Sequence, residues 1–178
     1  MDKERDITIK DFRHLLETAV STHTLNLEST FVEFTWWDKT IFKPLIYLDR
    51  TEHGNPLLVF GDVNCAFYKA VGSGQVFPTG FYVNPEATVA ENVVGRPYTL
   101  RDVFYRSILN HDDNKTVKFM FSNSPVNYYV QINPFQTKVY KNRNGETILT
   151  LYADDRDGGE FQLASKVKGK NIALFKDC

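Results

Sequence analysis

Most of this 178-residue chain is a succession of short runs that are rich in β-branched and aromatic residues, each ended by a turn sequence. Residues 31–37 and 41–48 flank a polar gap at residues 38–40 and predict a hairpin. A C-terminal meander of short strands is predicted over residues 126–132, 137–141, 147–153, 161–165 and 172–175. About nine or ten strands exceed what one flat sheet usually holds, so we expect a mainly antiparallel sheet that is strongly curved, closed into a barrel or split in two.

Two amphipathic helices interrupt this strand pattern. The first is predicted over residues 8–21, where apolar residues recur at three- and four-residue spacing and Thr8 can cap the first turn. The second is predicted over residues 99–110, with Thr99 as its cap and Asp102 at the third position. The fold class is therefore α+β. We expect a single domain over all 178 residues, because no repeat, low-complexity tract or linker divides the chain.

A third capping pattern lies between the two helices. Thr88 and Glu91 match the S/T-x-x-E capping box. In this motif each of the two side chains accepts a hydrogen bond from the backbone amide of the other residue. Gly95 and Pro97 follow and supply a stop signal. The pattern predicts a short helix over residues 89–94.

The charge balance and the apolar runs exclude two classes of partner. Lys and Arg number 21 against 22 Asp and Glu, without a run of like charge, so we expect no nucleic acid, because phosphate binding needs clustered cations. Apolar runs such as residues 57–60 are far shorter than the roughly 20 residues that span a bilayer. The charged N-terminus is not followed by an apolar segment. We therefore expect no membrane association and a cytoplasmic location.

The titratable residues show no metal-binding spacing. The four histidines form no HxH, HxxxH or HExxH pattern. Residues 154–160 resemble the middle of a calcium loop, but Ala153 and Ala164 stand where its outer carboxylates would be, so a hairpin turn is favoured. The glycines of residues 72–80 lack the spacing of a phosphate-binding loop. We therefore expect neither a metal nor a cofactor.

Cys65 is the candidate for a catalytic nucleophile. If folding brings His53 or His111 near it, the histidine would act as its base, and the chain would be a cysteine-dependent hydrolase. The apolar neighbours Ala66 and Phe67 favour instead a buried and inert thiol. The sequence therefore favours a protein without catalytic activity over an enzyme.

Aromatic residues are the compositional outlier, since 14 Phe, 9 Tyr and 2 Trp make up 14% of the chain. Within Trp36-Trp37 and Tyr128-Tyr129, neighbouring side chains of a strand point to opposite faces, so one of each pair can face solvent, a pocket or a partner. These four residues are the predicted binding residues. The leading hypothesis is a non-catalytic binding protein that uses an aromatic-rich curved sheet to hold a protein partner or a small apolar ligand.

Two other functions stay open. The first is the hydrolase centred on Cys65, which needs its titratable groups to converge within hydrogen-bond reach in one cleft. The second is an immunity-like or inhibitor protein that neutralises one specific partner, which the near-neutral charge and a single β-rich domain allow. A homodimer is also compatible with the sequence.

Alkylation rates test the environment of Cys65. Burial suppresses the reactive thiolate, so iodoacetamide near neutral pH should modify Cys65 much more slowly than Cys178, which we expect at a fraying terminus. Peptide mapping after brief alkylation measures both rates in one sample. If Cys65 reacts faster, its surroundings activate the thiolate, and the hydrolase hypothesis becomes the leading one.

Overall fold

The computed structural model describes residues 7–35, 41–50, 54–63, 66–71, 89–94, 96–109, 113–123, 126–154 and 162–163. The helices are α1 (Ile9–His23) and α2 (Leu100–Asp102), which continues directly as a π-helix over Val103–Ile108. The strands are β1 (Thr30–Thr35), β2 (Phe42–Arg50), β3 (Pro56–Phe60), β4 (Ala66–Val71), β5 (Val89–Val94), β6 (Lys118–Asn123), β7 (Val126–Val130), β8 (Ile132–Lys141), β9 (Thr147–Ala153) and β10 (Gln162–Leu163).

The first predicted helix is confirmed, together with its cap. The Thr8 hydroxyl accepts a hydrogen bond from the Asp11 amide at 3.2 Å and satisfies one of the free donors of the first turn. The helix ends at Thr24, whose left-handed backbone (φ 51°) directs its amide back to the Val20 carbonyl. The face that α1 buries consists of Ile9, Phe12, Leu16 and Ala19.

The second predicted helix also begins where its cap indicates, but it changes type. Thr99 and Asp102 form a complete capping box, in which the Asp102 carboxylate accepts from the Thr99 amide at 2.9 Å. From Val103 to Ile108 the backbone is a π-helix, a rare form that is often found at functional positions. The capping pattern alone does not predict this change.

The predicted helix over residues 89–94 is wrong, because these residues form β5. They pair antiparallel with β4 along their whole length, from Val89 opposite Val71 to Val94 opposite Ala66. The valines of this run favour a strand, and the ladder of inter-strand hydrogen bonds outweighs the local capping box. The two strands form a separate two-stranded sheet.

The main sheet has the strand order β10-β7-β6-β3-β2-β1-β9-β8. It is mixed, because β1 pairs in parallel with β9 and β3 pairs in parallel with β6. The prediction of a mainly antiparallel sheet therefore needs correction. The predicted hairpins β1–β2 and β8–β9 are confirmed. The predicted meander is wrong at β7, which pairs with β6, and at β10, which pairs with β7. Its last strand, over residues 172–175, lies outside the described residues.

The sheet curls because one bent strand belongs to both of its ends. Only Gln131 separates β7 from β8, yet Val130 pairs with Phe119 of β6 whereas Ile132 pairs with Ala153 of β9. The Gln131 carbonyl also accepts from the Asp154 amide at 2.7 Å. If β7–β8 counts as one strand and the two-residue β10 is left aside, six strands form a curled half-barrel. The predicted strong curvature is thereby confirmed.

The strand β2 changes partner at Pro44. Residues 42–44 pair with β1, and residues 45–50 pair with β3, with a register irregularity between Leu45 and Tyr47. Proline has no amide hydrogen to donate, so it fits at the point where one ladder ends and the next begins. Its carbonyl accepts from the Gly61 amide at 3.0 Å.

The inner face of the curled sheet packs on α1. The Phe12 ring of α1 meets the Phe119 ring edge-on, with centroids 5.4 Å apart. On the sheet itself, the centroid of the Phe34 ring lies 5.2 Å from that of Phe60 and 5.8 Å from that of Phe121. These rings are fully buried or nearly so, and they form the centre of the hydrophobic core.

Truncation of the buried face of α1 tests this packing. Leu16 is fully buried, so Leu16→Ala should lower the free energy of unfolding by about 2–5 kcal/mol. Lys10 is exposed on the same helix, and Lys10→Ala should change the free energy by less than about 0.5 kcal/mol. Denaturant titration of both variants measures the difference, and equal midpoints would contradict the assigned buried face.

Candidate functional site

Most residues predicted for a site lie outside the described part of the chain, namely Trp36, Trp37, His53, Cys65 and His111. The remaining pair, Tyr128 and Tyr129, lies in β7. In the ladder with β6, Tyr128 is opposite Phe121 and Tyr129 is opposite Met120. The described residues therefore do not test whether the predicted residues form a site, and their roles stay predictions.

A surface groove that none of these predictions includes lies between α1 and the π-helix. Its volume is about 480 Å³. We call it the apolar groove, because most of its lining comes from aliphatic and aromatic side chains. The lining residues are Glu17, Val20, Ser21, Leu27, Phe104, Tyr105 and Leu109.

The π-helix side of the apolar groove exposes large apolar side chains to solvent. Tyr105 is 55% exposed and Leu109 is 48% exposed, and Phe104 is half-buried between them and the core. Scattered apolar side chains on a surface are common, but here they line one concave feature together with Val20 and Leu27. Such a concave apolar surface is typical of a binding site.

Arg13 of α1 connects the two walls of the apolar groove. Its Nη2 donates to the Ile108 carbonyl at 3.0 Å, which satisfies a carbonyl at the end of the π-helix. Its Nη1 forms an ion pair with Asp113 at 2.7 Å. Arg13 thereby links α1 directly to the end of the π-helix, the two elements that form the groove.

Charged residues lie along the edge of the apolar groove. Glu17 is exposed on the α1 side. On the opposite side Arg101 forms an ion pair with Glu28, and its guanidinium lies 5.2 Å from the centroid of the Tyr105 ring. The Arg101 amide also donates to the Leu27 carbonyl at 2.9 Å. Among the described lining residues, Glu17 is the charged one, so it is the charge that the groove itself presents to a ligand.

The structure also contains a buried carboxylate, Glu33 of β1, which is only 8% exposed. Its Oε1 accepts hydrogen bonds from the Tyr140 hydroxyl at 2.6 Å and from the Thr150 hydroxyl at 2.9 Å. These bonds link β1 to β8 and β9 and compensate for the loss of water around the charge. Glu33 does not line the apolar groove, so its described contacts fit a structural role.

The charge of Glu33 changes the acidity of two tyrosines. Burial, the hydrogen bond to Glu33 and its negative charge together raise the pKa of Tyr140 well above the ordinary value of 10.0. Burial and the same charge raise the pKa of Tyr152. The sequence carries a signal for this cluster, because Glu33 is a single charged residue inside the apolar run of β1.

The raised pKa of Tyr140 predicts a loss of stability at high pH. The native state keeps the phenol protonated, whereas the unfolded chain releases this proton as the pH rises above about 10, so the stabilisation present below that pH is progressively lost. Tyr140→Phe removes this proton linkage. The free energy of unfolding of the variant should be lower near neutral pH, because a hydrogen bond to a charged group is worth about 1.5–3 kcal/mol, but should fall less steeply above pH 10.

Denaturant midpoints between about pH 7 and 11 measure this prediction. The matched control is Tyr105→Phe, which removes the hydroxyl of an exposed tyrosine and should keep the pH profile of the unmodified protein. Parallel profiles for Tyr140→Phe and the unmodified protein would show that the phenol of Tyr140 is not linked to folding.

The comparisons with known proteins give no match, so a function can be argued only from the geometry of the structure. No protein-family model, no curated protein and no solved structure matches the chain. Among the described residues, no three His, Cys, Asp or Glu side chains group as metal ligands would, and no helix is long and apolar enough to cross a membrane. We take the apolar groove as the candidate site, because Tyr105 and Leu109 expose apolar surface along a concave feature.

Proposed function

We propose that the chain is a non-catalytic protein-binding domain and that the apolar groove is its binding site. The observation that carries this proposal is the concave surface in which Tyr105 and Leu109 are half exposed beside Val20, Leu27 and Phe104. Burial of these side chains by a partner removes apolar surface from water, which is the main favourable term in protein association. The surface has the character of an interface core, with aromatic and aliphatic residues surrounded by charged ones.

The position of the groove supports a protein segment over a small apolar ligand. The inner face of the curled sheet, where a small ligand would be enclosed, packs on α1 through Phe12, Phe34 and Phe119. The apolar groove lies at the surface instead, and Tyr105 and Leu109 stay accessible along it. Small ligands are usually enclosed over most of their surface, whereas protein segments insert single side chains into such grooves.

The edge of the groove favours a partner with a particular charge. Glu17 is exposed there, and the nearby Arg101 is already paired with Glu28. A partner segment that places a Lys or Arg near Glu17, while an apolar side chain enters the groove, complements both features. The inhibitor hypothesis is compatible with this site, and the hydrolase hypothesis stays a prediction about Cys65.

A designed peptide tests the proposed site. The probe is a fluorescein-labelled amphipathic helix of about 18 residues, with leucines on one face and lysines on the other, and its scrambled isomer is the peptide control. The unmodified protein should bind the amphipathic peptide saturably and bind the scrambled peptide at least about tenfold more weakly. Fluorescence anisotropy measures both affinities.

Two protein variants locate the peptide. Leu109→Glu places a charge in the groove and should weaken binding at least about tenfold. Phe42→Glu is the matched control, because Phe42 is also 48% exposed but lies on β2 and does not line the groove. Circular dichroism confirms that both variants fold. Equal affinity of Leu109→Glu and the unmodified protein would contradict the proposed site.

A further inference from the structure

Two arginine guanidinium groups lie over one tyrosine ring beside the start of α2. The guanidinium carbon of Arg96 lies 4.1 Å from the centroid of the Tyr98 ring, and that of Arg106 lies 5.4 Å from the same centroid. The two guanidinium carbons can therefore be no farther apart than these two distances taken together. We call Arg96, Tyr98 and Arg106 the arginine cluster.

The arginine cluster is attached to the core at its tyrosine. Tyr98 is only 4% exposed and belongs to the hydrophobic core. Its amide donates to the Leu45 carbonyl of β2 at 3.1 Å, and the Arg96 amide donates to the Ile46 carbonyl at the same distance. Arg106 comes from a different element, the π-helix. The two cations thus reach one buried ring from separate parts of the chain.

The charges of the arginine cluster have no hydrogen-bonded carboxylate among the described residues. The Arg96 guanidinium donates to the Pro97 carbonyl at 3.5 Å. The Arg106 guanidinium lies 3.8 Å from Oδ1 of Asp102, which is beyond hydrogen-bond distance. The other oxygen of Asp102 accepts from the amide and the hydroxyl of Thr99. Because arginine stays protonated in proteins, the cluster presents two positive charges with N–H donors directed to solvent or a ligand.

We propose that the arginine cluster binds the phosphate group of a phosphate monoester. Such a group carries a charge of about −1.5 to −2 near neutral pH, which matches two guanidinium groups. Its three non-ester oxygens can accept hydrogen bonds from both arginines at once, whereas a carboxylate has only two oxygens. The planar donor set of arginine also fits phosphate geometry better than a lysine ammonium does.

This site is separate from the apolar groove, since none of its three residues lines that groove. The inference therefore does not depend on the proposed function. A phosphate monoester reaches the chain from one of two sources, a phosphorylated small molecule or the phosphorylated side chain of a protein. The chemistry at the arginine cluster is the same for both, and the experiment separates them.

A titration of the full chain with methyl phosphate, the smallest such monoester, tests the inference. The readout is the NMR signal of each arginine Nε–H group, assigned with the variants below. At low ionic strength the signals of Arg96 and Arg106 should shift saturably, with a dissociation constant of about 1 mM or below. The signal of Arg101, which is paired with Glu28, should not follow this curve.

The variant Arg106→Gln should weaken binding of methyl phosphate at least about tenfold, because one of the two cations is lost. Arg101→Gln is the matched control, since it removes the same charge from the adjoining turn. The Arg101 side chain is 55% exposed and that of Arg106 is 52% exposed, and the Arg101 guanidinium also lies over a tyrosine ring, at 5.2 Å. Arg101→Gln should leave the affinity within about twofold of that of the unmodified protein.

Two further ligands define what the arginine cluster recognises. Acetate at the same ionic strength should bind at least about tenfold more weakly than methyl phosphate, because it has one charge and two oxygens. A short peptide with phosphoserine between glycines and with blocked ends identifies the source. Tighter binding of this peptide than of methyl phosphate would assign the site to a phosphorylated protein. Equal or weaker binding would assign it to a phosphorylated small molecule.

Three results would each overturn the inference. The first is the absence of a saturable shift of the Arg96 and Arg106 signals up to about 50 mM methyl phosphate. The second is an equal loss of affinity in Arg101→Gln and Arg106→Gln, which would indicate an effect of net charge alone. The third is acetate binding as tight as that of methyl phosphate. The designed peptide tests the apolar groove independently of all three.

Discussion

The packing of α1 against the inner face of the curled sheet is the contact on which the other features depend. Phe12 and Leu16 of α1 are fully buried in the curl, and the Phe12 ring packs on Phe119, one of four sheet rings clustered around Phe34. One face of α1 is buried against the sheet. The α1 residues on either side of that face remain at the surface, and they line two depressions. The apolar groove, one of these two depressions, is therefore a consequence of how the core is filled.

Local features of the fold could be predicted from the sequence because they depend on neighbouring residues. Thr8 and Thr99 begin their helices through side-chain bonds to amides three residues away. The turn between β8 and β9 is likewise local, with Gly145 at a positive φ of 76° and its amide bonded to the Asn142 carbonyl at 3.0 Å. In each case the determining contact lies within a few residues of the chain.

The order of the strands could not be predicted, because it depends on contacts between distant segments. The parallel pair β1–β9 joins residues more than a hundred positions apart, and no local pattern specifies it. The Thr88–Glu91 box shows the same limit, since a correct local signal for a helix was outweighed by pairing with β4. The apolar groove is similar, because Val20, Leu27 and Leu109 are brought together only by folding, and the predicted aromatic pairs gave no indication of it.

The parallel pair β1–β9 has a consequence for how the chain folds during synthesis. Since β9 is the parallel neighbour of β1, one edge of β1 lacks its partner until residues 147–153 have left the ribosome, although β2 can pair with the other edge earlier. Long-range pairing of this kind is slow, because distant segments must meet before their contacts compensate the lost entropy. The nascent chain therefore carries one unpaired edge of β1 until β9 is made, and an unpaired strand edge is a template for pairing with other chains.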